Sequence, residues 1–353
     1  MKKIIILISI VSLLLLVVVG CDMQRAQTDA EWYYIELNTI NSAVANNVGT
    51  SDQDDFYPWY KLVLEHSEGS ISVATWAEEK VGIRVVKTAY GEDPEVILEK
   101  IGIEWEWIDE QEIDVDMLVP EIEYGELFEI VLEIYLPEEI QIDLESYSSE
   151  GDIKITEIMG NVEAETSNGN IEISNLISEA ILYVKTSNGD IAVEDVEAEK
   201  VELETSNGNI VAKDIKTNLI AKTSNGSVDV DRSTGTLEAF SSGEGDITLT
   251  NITIIDFADI EGSDNNIYLE LIEVGKGDYV VETSNGNIEV VFPSAIELNL
   301  EVIIGNGTVT SNFFDVPEGE DVFTVKYPED AIDPSPFMVK TSNGDIKLDM
   351  AGE

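Results

Sequence analysis

Six times in this chain the residues Thr-Ser-Asn-Gly are followed by Asn, Asp or Ser and then by a β-branched residue, at 166–169, 186–189, 205–208, 223–226, 283–286 and 341–344. Worn copies stand at 149–153, 243–247, 264–267 and 306–309. The β-branched residues that mark the copies are Ile153, Ile171, Ile191, Ile210, Val228, Ile247, Ile267, Ile288, Val309 and Ile346, at intervals of 18, 20, 19, 18, 19, 20, 21, 21 and 37 residues. A period near 19 held this regularly describes stacked units, each too small to bury its own apolar face.

Two architectures fit a unit such as Val201-Glu-Leu-Glu-Thr-Ser-Asn-Gly-Asn-Ile-Val-Ala. Asn-Gly between alternating apolar residues is a strong hairpin signal, because both residues tolerate positive φ. It also suits the corner of a coil. The stacking positions separate the two. The residues before four successive motifs are Glu165, Lys185, Glu204 and Lys222, alternating in sign. After each turn glycine stand Asp152, Asn170, Asp190, Asn209, Ser227, Asp246, Asn266, Asn287, Thr308 and Asp345, and no Asp follows another Asp. Equivalent positions in neighbouring coils lie ~4.8 Å apart, where like charges repel and Asn can donate to a carboxylate. In a hairpin meander they would be two strands apart, with less reason to alternate.

The expected fold is therefore all-β, a single-stranded β-helix or solenoid of about ten ~19-residue coils, roughly 50 Å long. Its corners are Asn168 and Gly169, Asn188 and Gly189, Asn207 and Gly208, Asn225 and Gly226, Asn285 and Gly286, and Asn343 and Gly344. Its interior is lined by Val162, Ala164, Ile171, Ile173, Leu182, Val184 and their equivalents. The long interval, 312–339, holds Pro317, Pro328, Pro334 and Pro336 and is expected to be one irregular coil with a loop thrown out.

Ahead of the repeats the chain changes character three times. Met1-Lys2-Lys3 is a basic start, residues 4–19 are almost unbroken apolar, and Val18-Val19-Gly20-Cys21 closes the run. That is the pattern of a secretory signal over 1–20. Its ending resembles the bacterial lipobox, in which the cysteine becomes the lipid-modified first residue. An uncleaved anchor is the alternative, since the run nearly reaches membrane-spanning length. Either way the remainder is expected to be exported and held at the membrane, outside the cytoplasm. Residues 21–55 are polar and irregular and read as a tether from lipidated Cys21, apart from Trp32-Tyr33-Tyr34-Ile35, which could pack on the fold or lie at the lipid interface. Residues 56–145 alternate at period two around punctuating prolines and read as a β-rich cap, followed by the solenoid over 146–353.

Charge narrows the partners. The chain has 72 acidic against 19 basic residues, a net −53 that becomes −55 when Lys2 and Lys3 leave with the signal. Such a surface excludes charge-driven binding of nucleic acid or anionic lipid, both of which need clustered Lys and Arg. One cysteine permits no internal disulfide.

Taken together, the recurrent Thr-Ser-Asn-Gly-Asx-Ile, the upstream Glu68-Gly69-Ser70-Ile71-Ser72-Val73 with Trp76, and Ile134-Tyr135-Leu136-Pro137 make the chain similar to a bacterial "putative adhesin" family of unknown function. The resemblance covers residue 60 to the end. It implies a β-helix-like fold at the cell envelope and brings no catalytic residues.

Chemistry is sparse. His66 has neither a second histidine nor a usable cysteine beside it, so a surface or packing role is the simpler reading. No catalytic residue, metal ligand or cofactor is assigned. The Asx positions could hold Ca²⁺, but Asn replaces Asp in about half, which a hydrogen-bonded ladder explains better. Trp105 and Trp107 could form a sugar-stacking platform or belong to the core of the cap. The function expected is a non-catalytic, adhesin-like envelope lipoprotein with an extracellular or envelope protein or glycan as ligand. The alternatives are an envelope-stress or signalling component that binds a membrane protein of the same cell, and a polysaccharide lyase or glycoside hydrolase, which needs only two placed carboxylates.

Overall fold

The computed structural model describes residues 25–37, 59–109, 111–119, 121, 127–138 and 140–352. The signal, Cys21 and most of the proposed tether lie outside them. Period-two burial makes the described residues strand almost throughout. The first third contains β1 (Arg25–Glu36), β2 (Trp59–Glu68), β3 (Ser70–Trp76), β4 (Lys80–Gly91), a short α1 (Pro94–Leu98), β5 (Gly102–Trp107), β6 (Glu112–Leu118) and β7 (Leu127–Pro137). The repeats supply β8 (Gln141–Glu150), β9 (Ile153–Thr156), β10 (Val162–Asn168), β11 (Ile171–Ile177), β12 (Ile181–Asn188), β13 (Ile191–Glu197), β14 (Lys200–Asn207), β15 (Ile210–Lys216), β16 (Asn218–Asn225), β17 (Val228–Glu244), β18 (Ile247–Asp264), β19 (Ile267–Val274), β20 (Asp278–Asn285) and β21 (Ile288–Phe292). The chain ends with β22 (Leu298–Asn306), β23 (Val309–Ser311), β24 (Val322–Tyr327), β25 (Ser335–Asn343) and β26 (Ile346–Met350).

These strands stack in parallel register as a two-faced solenoid. One face runs β6, β2, β8, β10, β12, β14, β16, the end of β17, the end of β18, β20, β25, β22. The other runs β7, β3, β9, β11, β13, β15, the starts of β17 and β18, β19, β21, β26, β23. The marker residues form one column, extended upstream by Ile71 and Leu132. From Leu132 to Ile346 every member is at most 1% exposed, and half-buried Val309 closes the column at the end coil. Each such side chain withdrawn from water contributes on the order of 2 kcal/mol, so the column is the spine of the core.

Chain order and spatial order part company at both ends. The expected boundary at 145/146 falls inside β8, and β2–β3 is itself a coil laid directly on β8–β9. Its corner at Glu68-Gly69-Ser70 repeats the later chemistry: the Ser148 hydroxyl donates to the Gly69 carbonyl at 3.4 Å. β6–β7 then forms a rung outside β2–β3, closed by antiparallel β5 on one face and by antiparallel β4 and β1 on the other. The far end mirrors this. The interval 312–339 is not an irregular coil followed in sequence by the last one. Instead β25–β26 inserts between β20–β21 and β22–β23, and β24 folds back antiparallel on β22. Inward-facing Phe337, Val339, Ile346, Leu348 and Met350 are all buried and need cover on both sides, whereas β23 is three residues long with half-exposed Val309, which suits an end. Lys340 and Lys347 also find Glu282 (2.8 Å) and Glu289 (2.7 Å) on the coil beneath.

Residues 25–36, read as tether, are strand β1. Trp32 and Tyr34 face outward while Tyr33 and Ile35 turn in, and Lys87, only 3% exposed, donates to Glu31 (2.7 Å) and the Ile101 carbonyl (2.8 Å) to hold β1 against the cap. A second device escaped the sequence reading. Glu157, Asn175, Asp195, Asp214, Arg232 and Asn251 all have φ between 54° and 60°. This left-handed kink, at equivalent positions in successive coils, lets two polar residues in a row face solvent and returns the next to the core, as in Ser174-Asn175-Leu176. The signal was there in the paired polar residues, often Asx, that interrupt each second strand.

Candidate binding surfaces

The structure gives the repeated corner residues tasks inside the stack. The Gly-Asx peptide of each corner is turned out of the backbone ladder. Its carbonyl accepts the Thr hydroxyl of the next coil: Thr186 to Gly169 (3.0 Å), Thr205 to Gly189 (3.0 Å), Thr223 to Gly208 (2.9 Å), Thr341 to Gly286 (3.0 Å). Its N–H donates to the Asx oxygen of the coil before: Asn170 to Asp152 (2.7 Å), Asp190 to Asn170 (2.9 Å), Asn209 to Asp190 (2.7 Å), Asp345 to Asn287 (2.8 Å). Asp and Asn serve equally for that bond. Where Asn lies on Asp its amide donates too, as Asn170 does to Asp152 at 3.2 Å. The corner asparagines form a further ladder, Asn188 to Asn168 (2.9 Å), Asn207 to Asn188 (3.0 Å), Asn225 to Asn207 (3.0 Å) and Asn343 to Asn285 (2.7 Å).

One part of the expectation changes here. Positive φ was to explain Asn and Gly alike, yet none of the six corner asparagines has one. Asn is present for its amide. Gly is present because there is no room: a Cβ on Gly169, Gly208 or Gly286 would overlap the backbone carbonyl of the preceding corner. Thr, unassigned from the sequence, is the buried donor, at most 5% exposed in all six intact motifs.

The places where the repeat fails divide differently. In the worn coils near 241–266 the gap is filled from within, by Asn265. Its amide donates to Ser241 (3.0 Å) and to the Gly243 carbonyl (2.9 Å), and its oxygen accepts the Ser263 N–H (2.8 Å). Over 312–339, Phe313, Phe314, Phe323 and Tyr327 close edge-to-face over Phe292 and the end of the core. Both segments are structural.

The cap holds two other surfaces. On its outer face, β5 and β6 set Glu104 opposite Asp116 and Glu106 opposite Asp114, and a shallow depression of about 450 Å³ lies among them beside Ile103 and Trp105. Burial, then Glu112, Asp116, Glu106 and Glu65, push the Asp114 carboxyl up from the ordinary aspartate range, and its Oδ1 is buried without a partner. Trp107 packs on the core, edge-on to Tyr60 at 6.4 Å, and Trp105 lies edge-on to Tyr33 at 5.7 Å. Trp107 thus belongs to the core, whereas Trp105 stays 38% exposed at the rim of the depression, so the two rings form no shared platform.

An exposed aromatic group lies on the opposite sheet instead. Trp32, Tyr34 and Trp76 are within 4–10° of parallel, their centroids 6.0–6.4 Å apart, with Tyr135 5.5 Å from Trp76. Trp76 lies over Gly82, whose missing side chain makes the space, and its indole N–H donates to the Lys80 carbonyl at 2.7 Å. Lys80 stands 4.1 Å above the Tyr34 ring and Arg84 5.9 Å from Trp32. Trp32 and Tyr34 remain 46% and 48% exposed. Sequence had named the Trp32–Tyr34 stretch without its partners, which come from β3 and β7.

The family model described as Toastrack DUF4097 matches residues 128–239 and 178–349, well over half the chain. The chain belongs to the Toastrack family. No curated protein matches it. Three solved structures are similar to this Toastrack chain. A "putative cell adhesion protein" of Clostridium sporogenes is 14% identical, with 92% of this chain and 100% of that one covered and a TM-score of 0.25. A "putative adhesin" of Bacteroides fragilis is 14% identical, covering 92% and 97%, with a TM-score of 0.35. Another from Parabacteroides distasonis is 10% identical, again 92% and 97%, with a TM-score of 0.37.

Proposed function

We propose that this Toastrack protein is an exported lipoprotein, anchored through Cys21, whose rod holds binding surfaces away from the membrane in the manner of an adhesin and catalyses no reaction. The observation that carries this reading is the use made of the repeat's polar groups. Thr hydroxyls, Asx oxygens and Asn amides are consumed in coil-to-coil bonds, so the repeats act as a spacer of regular pitch. The ligand would be a protein or glycan of the envelope or of an outside surface. Fatty-acid labelling tests the anchor: the wild type should take label and stay with membranes, and Cys21→Ser should lose both. Crosslinking in living cells, with and without an external surface, tests the partner. A product formed without that surface favours a same-cell membrane protein over adhesion.

One observation favours a second reading, a glycan-active enzyme. The depression at β5–β6 brings carboxylates together, and burial pushes the Asp114 carboxyl above the ordinary aspartate range, the direction a general acid requires. Release of reducing ends from envelope polysaccharide by the wild type, abolished in Asp114→Asn, would establish it. Equal inactivity of the two would leave the binding reading alone.

A further inference from the structure

We propose that the exposed aromatic group on β1 is a footing that seats the rod in the headgroup layer of the membrane that carries its anchor. The inference rests on the lipoprotein reading and adds a second contact and an orientation. Cys21 and Arg25 are four residue steps apart, so the start of β1 lies within about 14 Å of the anchor. Among the described residues β1 is the outermost strand of its face, paired along its whole length to β4 and to no other strand. Strands of a solenoid run across its axis at ~4.8 Å intervals, so β1, β4 and β7 are the first three rungs from that end.

With the rod upright, Trp32 and Tyr34 fall on the first rung, Trp76 lies over Gly82 on the second, and Tyr135 sits on the third. The first two rungs match the interfacial layer of a bilayer, roughly 5–8 Å per leaflet. The chemistry matches as well. Half-exposed Trp and Tyr with flanking Lys and Arg are what that layer takes, rings among the headgroups and cations on phosphate. Lys80 and Arg84 occupy those flanking places, Arg84 being also paired with Glu133 at 2.8 Å.

Charge is compatible with the pose. With −55 over the exported chain, laying the long faces on an anionic leaflet would bring many carboxylates to it, whereas standing on β1 brings the rings with Lys80 and Arg84 and a few carboxylates, Asp29, Glu31 and Glu36 among them. Outward Trp32 and Tyr34, alternating with inward Tyr33 and Ile35, thus serve the bilayer and the core from one strand.

The test uses the full lipid-modified chain in phosphatidylcholine vesicles carrying nitroxide-labelled lipid. Tryptophan emission should be quenched more by a headgroup nitroxide than by one deep in the acyl chain. The double variant Trp32→Ser, Tyr34→Ser should lose at least half of that quenching, while Trp107→Phe keeps it. Circular dichroism checks that the variants fold; because both rings are half exposed the double variant should, and Trp32→Phe alone gives a second reading of the same loss. Equal quenching of wild type and double variant, or no quenching in a chain that floats with the vesicles, would overturn the footing and leave the anchor standing. A chain that takes up no fatty acid and does not float would overturn both. If soluble envelope glycan fragments shift the emission of the wild type but not of the double variant, the rings belong to a sugar site and the footing is wrong.

Discussion

Thr205 shows how much one motif position does. Its hydroxyl, buried in the stack, is the donor that satisfies the Gly189 carbonyl of the coil before. Thr205→Val keeps the shape and strands that carbonyl, which should cost about 1–2 kcal/mol in urea-melt stability. Thr205→Ser should recover most of it, since Ser241 and Ser148 hold the place naturally. Asp259 is a residue under the opposite tension. Burial first, then Glu238 and Glu282, raise its carboxyl above the ordinary 3.8, and its Oδ1 is buried and unpaired. A raised carboxyl binds its proton more tightly in the folded state, so stability drains away as pH rises through the folded value. Asp259→Asn should therefore raise the melting temperature at pH 7, with the gain shrinking towards pH 4. A gain independent of pH would rule out titration as its cause. Asp345 runs the other way. The Thr308 hydroxyl and then its N–H hold it low, so its contribution is present above the ordinary value and fades only as pH falls below it.

At the scale of the element, sequence and structure agree on the coil and diverge on its neighbours. The ladder was legible because parallel stacking puts identical positions ~4.8 Å apart, where alternation of Glu165, Lys185, Glu204 and Lys222 leaves a trace. The role of Thr was not legible, since a buried hydroxyl and a β-forming side chain look alike in a strand. The end order was hidden for a different reason. Periodicity records how long each unit is and says nothing about which unit it touches, so an interval of 37 looked like a missing coil when it was a crossing. The aromatic group, likewise, is assembled from three distant strands. Two deletions of equal length separate these levels. Removing 190–208 joins Gly189 to Asn209 in register and should leave a cooperative melt in a rod one rung shorter. Removing 335–353 withdraws β25–β26 from the middle of the stack, uncovers β21 and β23, and should abolish cooperative unfolding or cause aggregation.

For the molecule as a whole, the strongest long-range force is its own charge. At −53 the folded state repels itself, and raising NaCl from about 0.05 to 0.5 M shortens the screening length several-fold and should raise the melting temperature. Ca²⁺ at matched ionic strength should add nothing further, because the Asx oxygens that might have bound it already accept backbone N–H groups. A large extra rise would mean that those bonds give way to metal. Disulfide formation across the far end tests the stacking order itself. In a Cys21→Ser background, Glu289→Cys with Lys347→Cys places two thiols on adjacent rungs and should oxidise readily. Glu289→Cys with Thr310→Cys lies two rungs apart, about 9.6 Å, and should stay reduced. Rapid oxidation of the second pair and not the first would contradict the inserted coil and return the stack to simple chain order.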